Sequence, residues 1–448
     1  MKQYFTLRRQ FRRLSPAQFL VMAYTLVIIA GAALLRLPIS VPGGISWIDA
    51  LFMSTSAVCV TGLSVVSLTA EFTIFGQIVI MLLVQIGALG IMVMSALFAL
   101  ILKRKIGLRN RIFIQQDLNQ NYLSGVVRLV RYILFLTFWV ELTGALFLFL
   151  LWKPGRGWGQ AAYYAVFHSI TAFANAGFDL FGTSLEGFSQ QPAVLLVIAG
   201  LIVIGGLGFS VINELFGGRF SFRKTSLHTK IVLISTTALI VFSWLAVLLL
   251  EFGNPQSIGT FRFGDKMVNA LFSGVTTRSA GFSSIPIQAF SQASQFLMVL
   301  LMFIGSSPGS TGGGIKTVTF AVLLLGVWSN ISERKEVQVF GRRIPEEQIS
   351  KAFVITFSAA VWVIIVVLIL SISESFSIFD LLFETVSAFG NVGLSTGVTD
   401  NLSRLGRVLI TLTMFLGRLG PMTLALALGQ RGVRNASFRY PEERVGLG

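Results

Sequence analysis

Four short polar segments interrupt an otherwise apolar sequence, and each ends at a glycine followed by an apolar residue. They read STSAVCVTGL (residues 54–63), SITAFANAGF (169–178), SGVTTRSAGF (273–282) and TVSAFGNVGL (385–394). Irregular backbone at membrane depth leaves carbonyl oxygens without donors, which is tolerated only where the chain is buried in protein or lines a watery cavity. A ring of such oxygens can replace the hydration shell of an alkali cation. The chemistry that these segments predict is therefore coordination of a dehydrated monovalent cation.

The composition indicates a polytopic membrane protein. The chain has 448 residues, of which 54% are hydrophobic and only 12% charged, with a mean hydropathy of +0.79, whereas soluble proteins carry about 25% charged residues. A single cysteine, Cys59, excludes an internal disulfide. Several apolar runs reach the ~20 residues that a membrane-spanning helix needs. Eight spans are predicted, over residues 19–37, 72–102, 132–152, 193–213, 229–250, 294–328, 352–372 and 407–429.

The net charge of +16 reflects topology rather than nucleic-acid binding. Most of the 35 Lys and Arg residues fall in the N-terminal arm, in the segments 103–131, 219–230 and 334–351, and in the C-terminal tail. Cytoplasmic loops of membrane proteins carry such an excess of Lys and Arg. We therefore expect a multi-pass cell-membrane protein with both termini in the cytoplasm.

The chain repeats one unit four times. Each outer connection contains a short apolar element, too short to span the membrane but long enough to enter it and return as a helix; these elements are predicted over 45–58, 160–173, 265–276 and 378–389. A shared glycine pattern follows in the next span, as QIGALGIM (85–92), VIGGLGFS (203–210) and FLGRLGPM (415–422). Such internal repetition is typical of a repeat architecture.

The predicted fold is an all-α membrane protein in which four parallel repeats surround a central pore. Each repeat consists of a span, a re-entrant pore helix, a filter loop and a second span, which gives eight transmembrane helices. The repeats are assigned to residues 17–103, 128–217, 226–328 and 350–430, with a cytoplasmic arm at 1–16 and a cytoplasmic tail at 431–448.

These motifs make the chain similar to the Trk/Ktr/HKT superfamily of potassium transporters, and most of all to its KtrB-like membrane subunits. The resemblance rests on SAVCVTGL, AFANAGF, VTTRSAGF, AFGNVGL, GSTGGGIK and FLGRLGP and covers nearly the whole chain. It implies one selectivity filter per subunit, built from the four loops, with K⁺ bound at backbone carbonyls. The filter residues that it implies are Val60, Thr61, Gly62, Asn175, Ala176, Gly177, Ser279, Ala280, Gly281, Asn391, Val392 and Gly393.

The resemblance also implies partners. The membrane subunits form homodimers in which each subunit has its own pore. A separate ring of cytosolic KtrA/TrkA-like subunits binds a nucleotide, either ATP/ADP or NAD(H), and controls the gate. The chain itself is expected to hold no cofactor, and Na⁺ as an activator of K⁺ transport stays open.

The segment GSSPGSTGGG (305–314) interrupts the span predicted over 294–328. Five glycines and a proline would cost a continuous helix roughly 8 kcal/mol, which predicts a break. A phosphate-binding loop is excluded because Ile315 separates the last glycine from Lys316. By the resemblance, the segment is an intramembrane gate loop that moves. The predicted gate residues are Gly305, Ser306, Ser307, Pro308, Gly309, Ser310, Thr311, Gly312, Gly313, Gly314, Lys316 and Arg418.

Ionisable side chains within spans each leave two interpretations open. Arg418 either pairs with carbonyls or an acid of a neighbouring repeat, or faces the permeation path and repels cations when the gate is shut. Lys316 either contacts the gate loop or extends to the membrane surface. Glu141 is either a structural hydrogen-bonding residue or a proton or sodium site. We expect His168 and Glu384 to brace their pore helices, His228 to lie at a helix end, and Arg278 to lie near the filter.

Two functions of different classes are compatible with these features. The first is the ion-translocating subunit of a potassium uptake system. The alternative is a secondary cation carrier, a symporter coupled to Na⁺ or H⁺, which would place broken helices and a coupling acid at the membrane midplane. Four parallel repeats and filter loops without an acid favour the first. An enzyme is not expected, because two histidines and one cysteine provide neither a nucleophile–base pair nor a metal cluster.

Overall fold

The computed structural model describes residues 15–91, 93, 94, 96, 97, 112, 114, 115, 126–216, 222, 223, 225–334, 336–421 and 423. The predicted N-terminal arm up to residue 14, most of the segment 98–125 and the predicted tail at 431–448 lie outside these residues. Within the described part are fourteen α-helices: α1 (Pro16–Leu35), α2 (Trp47–Val58), α3 (Ile74–Leu89), α4 (Val126–Trp152), α5 (Trp158–Phe173), α6 (Pro192–Gly206), α7 (Phe209–Phe216), α8 (Leu227–Glu251), α9 (Phe263–Thr276), α10 (Gln292–Phe303), α11 (Thr317–Ile331), α12 (Glu346–Ser373), α13 (Ile378–Gly390) and α14 (Arg404–Leu419).

A small antiparallel hairpin separates the last two repeats. Its strands are β1 (Gln338–Val339) and β2 (Arg342–Arg343), with Gln338 opposite Arg343. The two connecting residues, Phe340 and Gly341, have φ of 52° and 69°, as a two-residue hairpin turn with matching twist requires. The segment between α11 and α12 is thus an ordered connection.

Hydroxyl side chains mark where many helices begin. Ser15 Oγ accepts from the Gln18 N–H at 3.3 Å, and Gln18 Oε1 accepts from the Ser15 N–H at 3.1 Å. This reciprocal arrangement satisfies two backbone donors that a helix start leaves free. At the starts of α2, α3, α8, α10, α13 and α14, a Ser or Thr oxygen accepts one backbone N–H. The polar caps therefore fix the ends of the apolar helices.

The first helix of each repeat is long and apolar enough to cross a membrane. These helices are α1, α4, α8 and α12, and α6 with α7 forms a fifth candidate that is bent by 99°. The pore helices α2, α5, α9 and α13 follow them and have only 12, 16, 14 and 13 residues. The all-α, four-repeat membrane fold is therefore confirmed.

One aromatic position recurs in all four pore helices. Phe52, Phe167, Phe272 and Phe383 occupy it, and each is at most 1% exposed. Burying a phenylalanine side chain contributes about 1.5–3 kcal/mol. Because the same side chain is buried at the same position of every pore helix, each pore helix lies at the same depth in its own repeat. The filter segment that follows therefore starts at the same place in every repeat.

The second span of every repeat is interrupted, which corrects the continuous spans predicted over 72–102, 193–213 and 407–429. α3, α6 and α14 end at or just before a glycine with positive φ: Gly90 (85°), Gly208 (94°) and Gly420 (80°). Only glycine adopts such values readily. A Cβ on Gly208 would also lie 2.7 Å from the Pro308 carbonyl oxygen. In repeat 3 the predicted break is present, between α10 and α11, and this is the sixth span in chain order.

Candidate functional site

The four predicted filter segments share one backbone conformation. The first residues of the triplets, Val60, Asn175, Ser279 and Asn391, have φ of 59°, 60°, 58° and 48°. The third residue is a glycine with φ of 94°, 64°, 76° or 94°, in repeat order. A non-glycine residue in the left-handed region costs about 1–2 kcal/mol. Because four matched positions adopt it, packing between the repeats must hold the segments in place.

The four glycines meet backbone carbonyls in a closed cycle. A Cβ on any of them would come within 3.0 Å of the carbonyl oxygen that precedes the glycine of another repeat. These contacts run from Gly62 to Ala176, from Gly177 to Ala280, from Gly281 to Val392, and from Gly393 to Thr61. Repeat 1 thus contacts repeat 2, and so on until repeat 4 contacts repeat 1. We call the four triplets the ring.

Asparagine side chains anchor two triplets of the ring. Asn391 Nδ2 donates to the Met414 carbonyl at 2.9 Å and to Thr61 Oγ1 at 2.8 Å. Asn175, oriented with its amide nitrogen toward the acceptors, donates to the Ile202 carbonyl at 3.1 Å. Met414 and Ile202 are equivalent residues of the second span. This anchoring was not predicted, although the recurrence of Asn at one position of repeats 2 and 4 was a signal for it.

Glycines of the second spans fit against the ends of the pore helices. A Cβ added to any of these glycines would overlap a backbone carbonyl oxygen at the end of the pore helix, or one residue before it. The glycine and the carbonyl residue are Gly87 and Val58 in repeat 1, Gly205 and Phe173 in repeat 2, and Gly417 and Phe389 in repeat 4. In repeat 3 the corresponding Gly305 instead packs on the carbonyl of Gly313. The first glycine of the recurrent pattern therefore seats the pore helix in three repeats, and the gate loop takes this place in the third.

We call the cavity on the side of the loops that follow the ring the outer cavity, after the predicted topology. It has a volume of about 280 Å³ and is lined by the four ring glycines and by Asp179, Glu186 and Asp400. Burial raises the pKa of all three carboxyl groups, and the charge of Asp179 raises that of Glu186 further. Acidic side chains at a narrow entrance raise the local concentration of cations.

An inner cavity of about 540 Å³ lies on the other side and is lined by gate-loop residues, Lys316, Arg418 and His228. The gate loop, residues 305–314, separates it from the ring. A Cβ on Gly312 would lie 2.9 Å from Ser279 Cβ, and one on Gly313 would lie 2.7 Å from Asn391 Cγ. The loop therefore contacts the first residues of two triplets directly.

Hydrogen bonds tie the gate loop to the second spans of two other repeats. Ser307 N–H donates to the Gly206 carbonyl at 3.1 Å, and Thr311 N–H donates to the Gly205 carbonyl at 3.3 Å. Gly314 N–H donates to the Gly417 carbonyl at 3.3 Å. Phe209 N–H also donates to the Gly309 carbonyl at 2.9 Å, and Thr311 Oγ1 donates to the Phe173 carbonyl at 3.3 Å. A shift of the loop must therefore break hydrogen bonds to repeats 2 and 4.

Arg418 joins the gate loop to repeat 1. Its Nη1 donates to the Thr311 carbonyl and its Nη2 to the Gly87 carbonyl. Lys316 Nζ donates to the Gly312 carbonyl at 2.7 Å. Within the described part of the chain, no carboxylate oxygen lies within 4.0 Å of either cation. Arg418 therefore has carbonyl partners and also faces the inner cavity.

Three other ionisable residues singled out in the sequence, Glu141, His168 and Glu384, line neither cavity. Glu141 accepts from Gln85 Nε2 at 3.0 Å. His168 lies 2.7 Å from the Tyr164 carbonyl through Nδ1, and its Nε2 accepts from the Leu180 N–H at 3.3 Å. It thereby ties its pore helix to the loop after the ring. Glu384 is fully buried at the corresponding position of α13.

Comparison with known proteins identifies the family. The family model described as "TrkH: Cation transport protein" matches residues 4–431. The chain belongs to the TrkH family of cation transport proteins. The similarity predicted from the filter and gate motifs is confirmed, and the family is one of transporters, not of enzymes.

TrkH-family relatives match this chain over nearly its whole length. Ktr system potassium uptake protein B of Bacillus subtilis (strain 168) is 40% identical over 436 residues, which cover 97% of each chain. The protein of the same description from Vibrio alginolyticus is 37% identical, over 96% of this chain and 94% of its own. The crystal structure of the potassium transporter TrkH from Vibrio parahaemolyticus superposes with a TM-score of 0.75 at 19% identity, covering 91% of this chain and 83% of that one. The last comparison shows a shared fold.

Proposed function

We propose that this chain is the ion-translocating subunit of a potassium uptake system of the cell membrane. The observation that carries the proposal is the ring of four left-handed, glycine-ended triplets between an outer and an inner cavity. Its backbone carbonyls replace the hydration water of the ion. The four pore helices end next to the ring, so the partial negative charges of their C-terminal ends favour a cation there.

Potassium is the proposed cargo. Two relatives with more than a third of their residues identical are described as potassium uptake proteins, and a third, 36% identical, as a potassium/sodium uptake protein, so K⁺ is the ion common to all three. Gly62 has no Cβ, so the Ala176 carbonyl oxygen keeps its position in the ring. On this proposal the carbonyls of all twelve triplet residues belong to the filter.

The gate loop is proposed to obstruct the inner side of the ring in the closed state. Arg418 would hold the loop by its bonds to Thr311 and Gly87, and its charge would repel cations from the inner cavity. Lys316 would add to both effects through its bond to Gly312. Opening requires the loop to give up these bonds.

Control of the gate is proposed to come from outside the chain. α11 leads from the gate loop to the hairpin β1–β2, and Arg342 and Arg343 are exposed there. A cytosolic nucleotide-binding ring that docks under a membrane homodimer could pull on this connection, with both termini on the same side. Cysteines placed between 332 and 343 should crosslink to a co-expressed regulator of this kind. Failure to crosslink, together with nucleotide-independent flux, would contradict the route.

Potassium-limited growth of an uptake-deficient bacterium tests the main proposal. The chain should restore growth at low external K⁺, more so with its cytosolic partner. Gly393→Ala should abolish the rescue because its Cβ would overlap the Thr61 carbonyl, whereas Gly43→Ala should not, because its Cβ meets nothing within 4 Å. Glu141→Gln distinguishes this proposal from the alternative function. A carrier coupled to Na⁺ or H⁺ through this acid would no longer accumulate K⁺, whereas a channel-like subunit would still do so.

A further inference from the structure

Arg278 occupies a position that is small in the other three repeats. It directly precedes the triplet of repeat 3, where the other repeats have Cys59, Ala174 and Gly390. Those three residues are buried. A long cation at this place is the largest departure from fourfold symmetry next to the ring.

Repeat 3 has room for this side chain because its second span is displaced. In repeats 1, 2 and 4, a glycine of the second span packs directly against the end of the pore helix. In repeat 3 the equivalent Gly305 packs against Gly313 of the gate loop. No second-span glycine therefore closes over the end of α9, and the chain can accommodate the arginine there.

The guanidinium of Arg278 is buried and poorly compensated. The residue is 6% exposed, and its Nη2 donates to Thr236 Oγ1 at 3.4 Å. Its Nε is buried and has no hydrogen-bond partner. Among the residues that the structure describes, no carboxylate oxygen lies within 4.0 Å of the group. A charge in this setting acts on its surroundings with little screening.

The charge lies at the C-terminal end of a pore helix, where it opposes the attraction of that helix for a cation. A helix C-terminus carries about −0.5 of an elementary charge. The positive charge of Arg278 works against this contribution from α9, whereas the residues at the same position after α2, α5 and α13 are uncharged. The field at the ring is therefore weaker on the side of repeat 3.

We propose that Arg278 determines the affinity of the ring for its ion, weakening cation binding so that the ion can leave toward the inner cavity. The inference rests on the proposed potassium uptake. Conduction requires sites that bind well enough to admit an ion but weakly enough to release it. Three residues of chain, at most about 11 Å, separate the Cα atoms of Arg278 and Gly281, and the guanidinium, which extends about 7 Å from its own Cα, therefore lies within about 18 Å of Gly281. At an effective dielectric constant of about 20, one unit charge within that distance changes ion binding by at least about fivefold.

Concentration-dependent Rb⁺ uptake into potassium-depleted cells tests the inference. Arg278→Gln should lower the half-saturating Rb⁺ concentration by at least about fivefold and lower the maximal rate as well, because the ion is held longer. Arg278→Lys keeps the charge and should behave like the wild type. A half-saturating concentration in Arg278→Gln that is unchanged or raised would overturn the inference, as would equal behaviour of the Lys and Gln variants.

A second pair of variants leaves Arg278 in place, for the case that Arg278→Gln does not reach the membrane. Thr236→Glu puts a carboxylate beside the guanidinium and should lower the half-saturating concentration in the same direction. Thr236→Gln is the matched neutral control and should not. Equal values for this pair would overturn the inference. If the wild type shows no saturable Rb⁺ uptake, the potassium uptake proposal itself fails.

Discussion

Gly62→Ser perturbs one joint of the ring and should weaken the discrimination of K⁺ against Na⁺. Gly62 has φ of 94°, and a Cβ there would overlap the Ala176 carbonyl oxygen and lie 3.0 Å from Gly177 Cα. Both neighbours are backbone atoms, so they cannot rotate out of the way as a side chain could. The carbonyl of repeat 2 must therefore turn or shift.

The magnitude follows from the conformation. Holding a residue other than glycine at positive φ costs about 1–2 kcal/mol, and the overlap adds to that cost. If the ring relaxes by moving one carbonyl, the binding free energy is reduced most for the ion that this carbonyl coordinates best, which on the proposed function is K⁺. A change of 1.4 kcal/mol corresponds to a factor of ten in an equilibrium constant. The strain is the same with either ion bound and cancels in the ratio of affinities, so only the part relieved by moving the carbonyl counts. We therefore expect the ratio of K⁺ to Na⁺ affinities to fall by up to about tenfold.

Competition uptake measures this ratio. Rb⁺ uptake is inhibited with K⁺ or Na⁺ in cells that carry the wild type, Gly62→Ser or Gly43→Ser. Gly43 is the control because an added Cβ meets nothing within 4 Å there. Unchanged inhibition constants for both ions in Gly62→Ser would refute the assignment of the ring as the selectivity filter. An equal loss in Gly43→Ser would show that the effect is not specific to the ring.

Three further outcomes follow from the structure. Deletion of residues 309–314, or Arg418→Ala, should raise basal flux more than it changes ion preference, because both remove bonds between the gate loop and the other repeats. Arg404 is an exposed residue of the same helix as Arg418, so Arg404→Ala should leave the flux normal. External acidification should raise the half-saturating K⁺ concentration, because protonation removes the charge of Asp179 and Asp400. Burial raises the pKa of both carboxyl groups, so the rise should begin at a pH above the usual titration range of carboxyl groups. Asp179→Asn should flatten this pH dependence, and a half-saturating concentration that is independent of pH in the wild type would contradict the prediction. Glu251→Ala should lower the melting temperature in detergent, because Ser257, Ser291 and Asn254 donate to this carboxylate and hydrogen bonds to charged groups contribute about 1.5–3 kcal/mol each; the exposed Glu71→Ala should melt like the wild type.

The repeat could be predicted from the sequence because its signals are local. Short apolar elements that end at a glycine define the pore helices, and their predicted ends agree with the structure to within two residues. The break in repeat 3 was also predicted, because five glycines and a proline within ten residues exceed what a helix tolerates.

The remaining features depend on contacts between distant segments. A single glycine in an apolar run does not by itself interrupt a helix, so the breaks at Gly90, Gly208 and Gly420 were missed. At Gly208 the constraint is the approach of Pro308, which lies a hundred residues away in sequence. Likewise, the recurrence of Asn at 175 and 391 signals a shared role, but the sequence does not show that the partners of Asn391 are Thr61 and Met414.

The joint between repeats 4 and 1 has a consequence for biosynthesis. Asn391 donates to Thr61 across 330 positions of the chain, and Gly393 packs on the carbonyl of Thr61. Ribosomes make the N-terminal partner first, so three repeats enter the membrane before the residues that close the ring exist. A nascent or truncated chain that ends before residue 391 has an open ring whose first triplet lacks its neighbour. The growing polypeptide therefore cannot form the complete ion site until synthesis has passed residue 393.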